Sequence, residues 1–340
     1  MPQDMREVIL ASPQQIGHSL EVNKDVKVEG KVDSIVLAGM GGSGHPGDLL
    51  NALGISNVPL YVHRNYDLPT TYLAHMGLVK PLVIASSYSG NTEEPLTGYA
   101  LAQRESRPLL VSASGGKLQE LAQRDGTPFI KIDYTDMQPR HTLFAAFAGI
   151  YAALRNSGLV ENIDEDLRRV EKVLIEKAPL LEAPGKELAQ KIKGKTAVYL
   201  STDALGFATK NFKIQTNENA KYPAFWNTFP EMNHNEMLGF SKLKEMKNPN
   251  QFFVLTLRDK DDHPRNRARI EVTTGLYRDW GVTVEHVNVE GTTLLEKLMY
   301  TVTLGLWTTY FLALEYGIDP VPVEGVESLK AKLKEVAGDI

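Results

Sequence analysis

The chain contains no cysteine. Disulfides, zinc–thiolate centres and thiol nucleophiles are therefore excluded, and the absence fits a reducing compartment, so a cytoplasmic location is expected. A basic block is missing too: 37 Lys and Arg stand against 42 Asp and Glu, for a formal net charge of -5. Binding a nucleic-acid backbone needs clustered cations, so nucleic acid is not an expected partner, although a local site for one phosphate is compatible with this balance. The 8 histidines are scattered without metal-ligand spacing. Asp262 and His263 sit together, but in a charged loop with a proline. Neither a metal nor a cofactor is expected. The opening MPQDMREVILASPQQIGHSL lacks the basic start and apolar run of a signal peptide. Long apolar stretches are almost absent. Leu298 to Tyr316 is long enough to raise a membrane span, but it carries four threonines and a glutamate and reads as a buried core helix. No membrane partner is expected.

What is present is ordinary globular material: 340 residues, 42% hydrophobic and 23% charged, enough for two domains with sizeable cores. A helix is expected at about 6–22. Short β-branched runs at 32–38, 58–63, 81–85, 109–112 and 129–133 alternate with helical periods near 46–53, 92–105 and 117–124. Such alternation predicts a parallel sheet covered on both faces. An apolar helix at 142–156 closes this half. Residues 157–194 read as charged helix, and strands then restart at 196–201, 251–257 and 282–289, with a helix at about 265–279. A final amphipathic helix is expected at 326–336, behind Pro320 and Pro322. The predicted domains are 1–156, 157–318 and a C-terminal segment, 319–340.

Two loops carry the chemistry of the first half. Gly39-Met40-Gly41-Gly42-Ser43-Gly44 joins a strand to a helix, where glycines allow close backbone approach and the helix N-terminus favours an anion. Its G-x-G-x-x-G spelling also fits a dinucleotide, and Arg64 suits a 2′-phosphate, so an NADP-dependent oxidoreductase is one rival. In Ser86-Ser87-Tyr88-Ser89-Gly90-Asn91-Thr92, three hydroxyls (Ser87, Ser89, Thr92) converge before the next helix. One hydroxyl suffices as a cap; three suit a phosphate. A dinucleotide domain has no need of this second loop.

These motifs, followed by Gln138-Pro139-Arg140, Asn217-Glu218-Asn219-Ala220-Lys221 and Pro230-Glu231-x-x-His234-Asn235, resemble the bifunctional phosphoglucose/phosphomannose isomerases. The resemblance implies two sugar isomerase (SIS) domains, flavodoxin-like parallel-sheet α/β sandwiches facing a shared cleft, plus a C-terminal helix. It implies a hexose 6-phosphate substrate, exchanged between glucose 6-phosphate and fructose 6-phosphate through a cis-enediol. It also implies roles: Gly42, Ser43, Ser87, Ser89 and Thr92 around the phosphate, Arg140 supporting the enediolate, and Glu218 as the proton-transferring base. His234 opens the ring, reaching in from the neighbouring subunit of a homodimer, and Lys330 assists at the ring oxygen. The chemistry is consistent with this. Aldose–ketose exchange needs one carboxylate to take and return a proton, a fixed cation for the developing oxyanion, and a group that moves protons at neutral pH. Each residue has a duller alternative: Glu218 paired with Lys221, Arg140 with Asp136, His234 as a bonded loop histidine, Lys330 on a solvated face beside Lys332 and Lys334.

The sequence departs from the family in places. Val321-Pro322-Val323 stands where the resemblance implies Thr-Pro, a threonine tied to acceptance of mannose 6-phosphate; weak or absent phosphomannose isomerase activity is expected. After strand 196–201, Ser201-Thr202-Asp203-Ala204 and Lys210 replace a glycine-rich turn and an arginine-bearing helix, so the second domain is expected to lack its own phosphate site. Residues 225–229 (FWNTF) are read as an altered pocket wall. Two further rivals are a non-catalytic SIS phosphosugar sensor, for which no DNA-binding domain is apparent, and an amino-sugar phosphate isomerase or deaminase.

Overall fold

The computed structural model describes residues 4–135, 137–246 and 251–337. They form two compact units, one of residues 11–172 and one of residues 4–10 with 173–337.

The N-terminal helical stretch is divided. Helix α1 (Met5–Ala11) gives way to a 3-10 turn at Ser12–Gln14, where Pro13 cannot donate to the α ladder, and α2 (Gln15–Val22) follows. The first unit's sheet has five parallel strands: β1 (Ser34–Ala38), β2 (Leu60–His63), β3 (Pro81–Ser86), β4 (Leu109–Ala113) and β5 (Phe129–Lys131), in the order β2-β1-β3-β4-β5. Strands β1, β3 and β4 are buried along their whole length, because helices cover both faces and leave no side for polar residues. The connecting helices are α3 (His45–Leu53), α4 (Thr70–His75), α5 (Glu93–Arg104) and α6 (Gly116–Asp125). Helix α4 has no counterpart in the sequence reading; with 6 residues, it shows too little periodicity to be seen. Helix α7 (Leu143–Asn156) buries nearly all its side chains. The strand order reverses at β1, which pairs with β2 on one side and β3 on the other. Loops leaving β1 and β3 therefore flank a crevice at the carboxyl ends of the strands, where sheets of this kind bind ligands.

Helix α8 (Asp164–Lys177) runs across the division between the units and is followed by α9 (Glu182–Ile192). The second sheet has β6 (Thr196–Thr202), then α10 (Gly206–Asn219), β7 (Ala224–Phe229), β8 (Phe252–Arg258), α11 (Pro264–Asp279) and β9 (Thr283–Asn288); its order is β7-β6-β8-β9, all parallel. This repeats the order of the first four strands of the other sheet. The FWNTF segment forms the edge strand β7: Phe229 is in the core, while Phe225 and Trp226 are exposed. Helix α12 (Leu294–Glu315) is the buried core helix expected from its composition. Among the described residues no helix is long and apolar enough to cross a membrane. Helix α13 (Glu324–Ala337) ends the described chain, exposed along its length from Glu324 to Val336.

Candidate active site

In the first unit, the loop after β3 builds a hydroxyl-lined turn. The Ser87 and Thr92 hydroxyls are hydrogen-bonded to each other at 2.8 Å. Thr92 occupies the N-cap of α5 with extended backbone, yet no side-chain hydrogen bond caps the helix. Its hydroxyl therefore faces Ser87 instead of satisfying the helix, and the first backbone donors of α5 remain open to a ligand. Ser89 Oγ accepts from the Asn91 amide at 3.3 Å. Gly90 has φ 69°, and a Cβ there would lie 1.9 Å from the Gly115 carbonyl oxygen, so only glycine permits this turn against the start of α6.

The glycine loop after β1 is tied to this turn. Ser43 Oγ accepts from the Tyr88 amide at 3.0 Å, and Ser86 Oγ donates to the Ser43 carbonyl at 2.8 Å. The Ser43 oxygen is thus an internal acceptor whose proton stays available. Gly42 lies against a second segment: a Cβ there would come within 3.2–3.3 Å of the Pro139 carbonyl group and the Arg140 amide nitrogen. Pro139–Thr142 is a 3-10 turn leading into α7. Arg140 on it is only 4% exposed. Asp136, the alternative partner suggested for Arg140, lies outside the described residues. Arg64, the residue suited to a 2′-phosphate, is bonded to Asp48 Oδ2 at 2.6 Å on α3, so its guanidinium already has an acid to satisfy.

In the second unit, Glu218 occupies the last turn of α10 and lines a cavity of about 690 Å³. Its walls include Tyr222, Pro223, Ile318, Pro322, Val323 and Val326. A carboxylate at the C-terminal end of a helix opposes the sign of the helix dipole, at a cost of about 0.3–1 kcal/mol. Two bonds fix the turn that follows. Asn217 Nδ2 donates to the Tyr222 carbonyl at 2.8 Å, and buried Asn219 donates to Thr309 Oγ1 at 2.8 Å. Lys221 has φ 52° and its ammonium donates to the Asn219, Asp319 and Pro320 carbonyls at 3.3, 2.9 and 3.0 Å. It fastens the end of α10 to the strap before α13. Val321, half-buried in that strap, donates its amide to Asp319 Oδ1 at 2.9 Å. Lys221 was legible only as part of a motif; a lysine just past a helix end, where glycine is the usual residue, was the available signal.

The remaining two sequence candidates are elsewhere. His234 ends a 3-10 turn at Glu231–His234, is exposed, and is not among the residues lining the Glu218 cavity. Lys330 is exposed on α13 and bonds Glu327 Oε1 at 2.8 Å; the cavity is reached only by the first turn of that helix, Glu324 to Val326.

Because the two sheets share their strand order, Asp259 to His263 after β8 is the topological counterpart of the hydroxyl loop after β3. It is filled by charge. Lys297 of α12, 4% exposed, donates to both oxygens of Asp259 at 2.7 Å and to Asp261 Oδ2 at 2.6 Å. Asp262 accepts from Thr202 Oγ1; burial pushes its carboxyl up, against that bond. His263 caps α11 by accepting from the Arg265 amide. Three aspartates hold the place of the hydroxyls, two of them committed to Lys297. Among the described residues no group of histidines and acids is arranged to hold a metal.

Residues 181–333 match the family model described as the bacterial phospho-glucose isomerase C-terminal SIS domain. The whole chain is similar to the bifunctional phosphoglucose/phosphomannose isomerase of Caldicellulosiruptor bescii, with 33% identity over 98% of this chain and 99% of that one. A protein of the same description from Aquifex aeolicus is 35% identical over 89% of this chain and 91% of its own. In fold it is similar to the crystal structure of a hypothetical protein from Thermus thermophilus, with a TM-score of 0.71 and 18% identity, covering 98% of this chain and 91% of that one.

Proposed function

The chain belongs to the bifunctional phosphoglucose/phosphomannose isomerases, and from that premise we propose that it interconverts glucose 6-phosphate and fructose 6-phosphate through a cis-enediol. The observation that carries the reading is Glu218, a carboxylate set in the wall of a largely apolar cavity. In the open-chain aldose, it removes the proton from C2 and returns it to C1, while a second proton passes from O2 to O1. Arg140 is the permanent cation that stabilises the enediolate oxygen. Ser87, Ser89, Thr92, Gly42 and Ser43 receive the phosphate through hydroxyl and backbone donors. Lys330 remains a candidate for assistance at the ring oxygen, provided α13 moves its ammonium from Glu327 to the sugar. The cytoplasmic location is part of this reading and rests on the cysteine-free composition.

The deciding experiment is NMR of fructose 6-phosphate incubated with the protein. Glucose 6-phosphate is expected as the main product and mannose 6-phosphate at less than about a tenth of its rate, because Val321 has no hydroxyl with which to hold a water beside C2. Equal production of both aldoses would sink the Val321 argument and leave the isomerase intact. Neither aldose, with the phosphosugar still bound, would favour a sensor or an amino-sugar substrate.

His234 fits the same mechanism as a residue donated to a second copy of the chain. Its exposure and its absence from the Glu218 cavity support that role. On this reading the enzyme is a homodimer with shared sites. Mixing inactive His234→Ala and Glu218→Gln proteins under conditions of subunit exchange should then restore about a quarter of wild-type activity, since random pairing makes half the dimers mixed and each has one intact site. Proven exchange with no recovery would remove His234 from a shared site.

A further inference from the structure

Tyr88 stands in the middle of the hydroxyl loop without a hydroxyl role in the reading above. Every polar atom it owns is nonetheless used to connect loops. Its amide donates to Ser43 Oγ at 3.0 Å, and its carbonyl accepts from the Ser114 amide at 2.9 Å and from Ser114 Oγ at 2.6 Å. Its phenol hydroxyl donates to the Tyr134 carbonyl and accepts from the Met137 amide, the latter at 3.1 Å. The ring is 9% exposed and packs with Ile132, Ala145, Ala146 and Tyr134.

The place of these bonds gives them meaning. Met137 is three residues before Arg140, in irregular chain between β5 and the 3-10 turn at Pro139–Thr142. No sheet ladder fixes such a segment, so its backbone groups depend on side chains. Past Met137 the turn is stiff: the His141 amide donates to the Gln138 carbonyl at 2.8 Å and Thr142 Oγ1 to the Pro139 carbonyl at 3.0 Å. Met137 leads directly into this small body, on which Gly42 rests and which Gln15 Nε2 holds from its far end through the His141 carbonyl at 2.8 Å, so the Met137 bond fixes the end nearer to Arg140's entry. A phenylalanine would fill the same apolar volume. What tyrosine adds is the hydroxyl that clamps this segment to the phosphate loop.

We propose that Tyr88 is a positioning residue that couples the phosphate loop to the Arg140 turn, so that a phosphate held at Ser87–Thr92 fixes the guanidinium for the oxyanion. The inference rests on the assignment of Arg140 above. It predicts a split between rate and affinity. Tyr88→Phe removes both phenol bonds, and loss of the one to Met137 should lower kcat for fructose 6-phosphate about tenfold, the upper scale of a single hydrogen bond, with KM changed less than about twofold. In an Arg140→Ala background the same substitution should change kcat by less than about twofold, because there is no guanidinium left to position. Additive losses in the two backgrounds, or a parallel rise in KM, would make Tyr88 a structural residue only. A second measurement needs no variant. Saturating the wild-type protein with inorganic phosphate should slow amide hydrogen exchange at residues 137–141 as well as at the loop 87–92. Protection at 87–92 with unchanged exchange at 137–141 would overturn the coupling. If the wild type turned over no hexose phosphate at all, the isomerase reading would have failed, whereas the exchange result would still decide whether phosphate and the 137–141 turn are linked.

Discussion

Replacing Glu218 by glutamine is expected to lower kcat about a thousandfold, within the usual range for loss of a general base, and to leave KM for fructose 6-phosphate within about threefold. Glutamine keeps the shape of the side chain and its capacity to accept a hydrogen bond, so the cavity wall from Tyr222 to Val326 is preserved. What it loses is the basicity that the proposed proton transfer between C1 and C2 requires. The variant should therefore also fail to exchange substrate hydrogen with deuterated solvent, a readout that follows proton transfer independently of net turnover. Stability separates this from a structural role. Glu218 lies in the last turn of α10, on the wrong side of the helix dipole for a negative charge. Glutamine can keep the hydrogen bonds of the side chain, so the melting temperature should stay within about 3 °C, the scale of a change under about 1 kcal/mol. A fall in melting temperature together with weakened substrate binding would identify Glu218 as a structural residue and leave the cavity without its base.

The layers of the fold were legible because they rest on local signals. Continuous apolar runs such as Ser34–Ala38 and Pro81–Ser86, each followed by a loop and an amphipathic helix, have few readings other than a covered parallel sheet. The edge strand β7 was not legible. At an edge, Phe225 and Trp226 need not be buried, and the alternation that marks a half-exposed strand is blurred by aromatics on the open face. The repeated strand order was equally hidden, since topology leaves no trace in composition. Among the candidate site residues, those whose proposed roles depend on residue type, such as Glu218 and Arg140, stood out by motif. Tyr88 and Lys221 were visible only as members of motifs, with no role of their own, because their bonds go to backbone groups distant in sequence: Met137 and Tyr134 for one, Asp319 and Pro320 for the other. The lysine of α12 was hidden for the same reason. In a helix otherwise read as apolar core, Lys297 had no partner until the loop after β8 was folded onto it.

That lysine gives the second large effect. Lys297→Met is expected to destabilise the protein by about 3–5 kcal/mol at pH 7, because it leaves Asp259, itself 6% exposed, as an uncompensated buried charge. Urea unfolding followed by fluorescence would read the loss as a lower midpoint. The double variant Lys297→Met with Asp259→Asn should recover at least half of it, since the stranded charge is removed together with its partner. The pH dependence has a definite sign. Burial pulls the Lys297 ammonium down, but its bonds to Asp259 and Asp261 outweigh that and hold it above its ordinary value of 10.5. Its stabilisation is complete below that value and disappears as the pH rises through the elevated one. Asp261, held down to about 2 by Lys297 and Lys260, acts oppositely: its share is present above the ordinary carboxylate value and is lost as the pH falls towards 2. The alkaline limit of the difference between wild type and Lys297→Met is therefore set by Lys297 itself, above its ordinary value of 10.5. On the acid side the difference should shrink as the stranded Asp259 of the variant takes up a proton, and Lys297→Met with Asp259→Asn should lose that acid-side change; an acid-side change kept in the double variant would mean that another group controls the loop. The loop's chemistry then bears on the division of labour between the two sheets. In the second copy of the strand order the corresponding position is occupied by the Lys297–Asp259 ion pair, which is why the proposed phosphate site is placed at Ser87, Ser89 and Thr92 in the first unit alone.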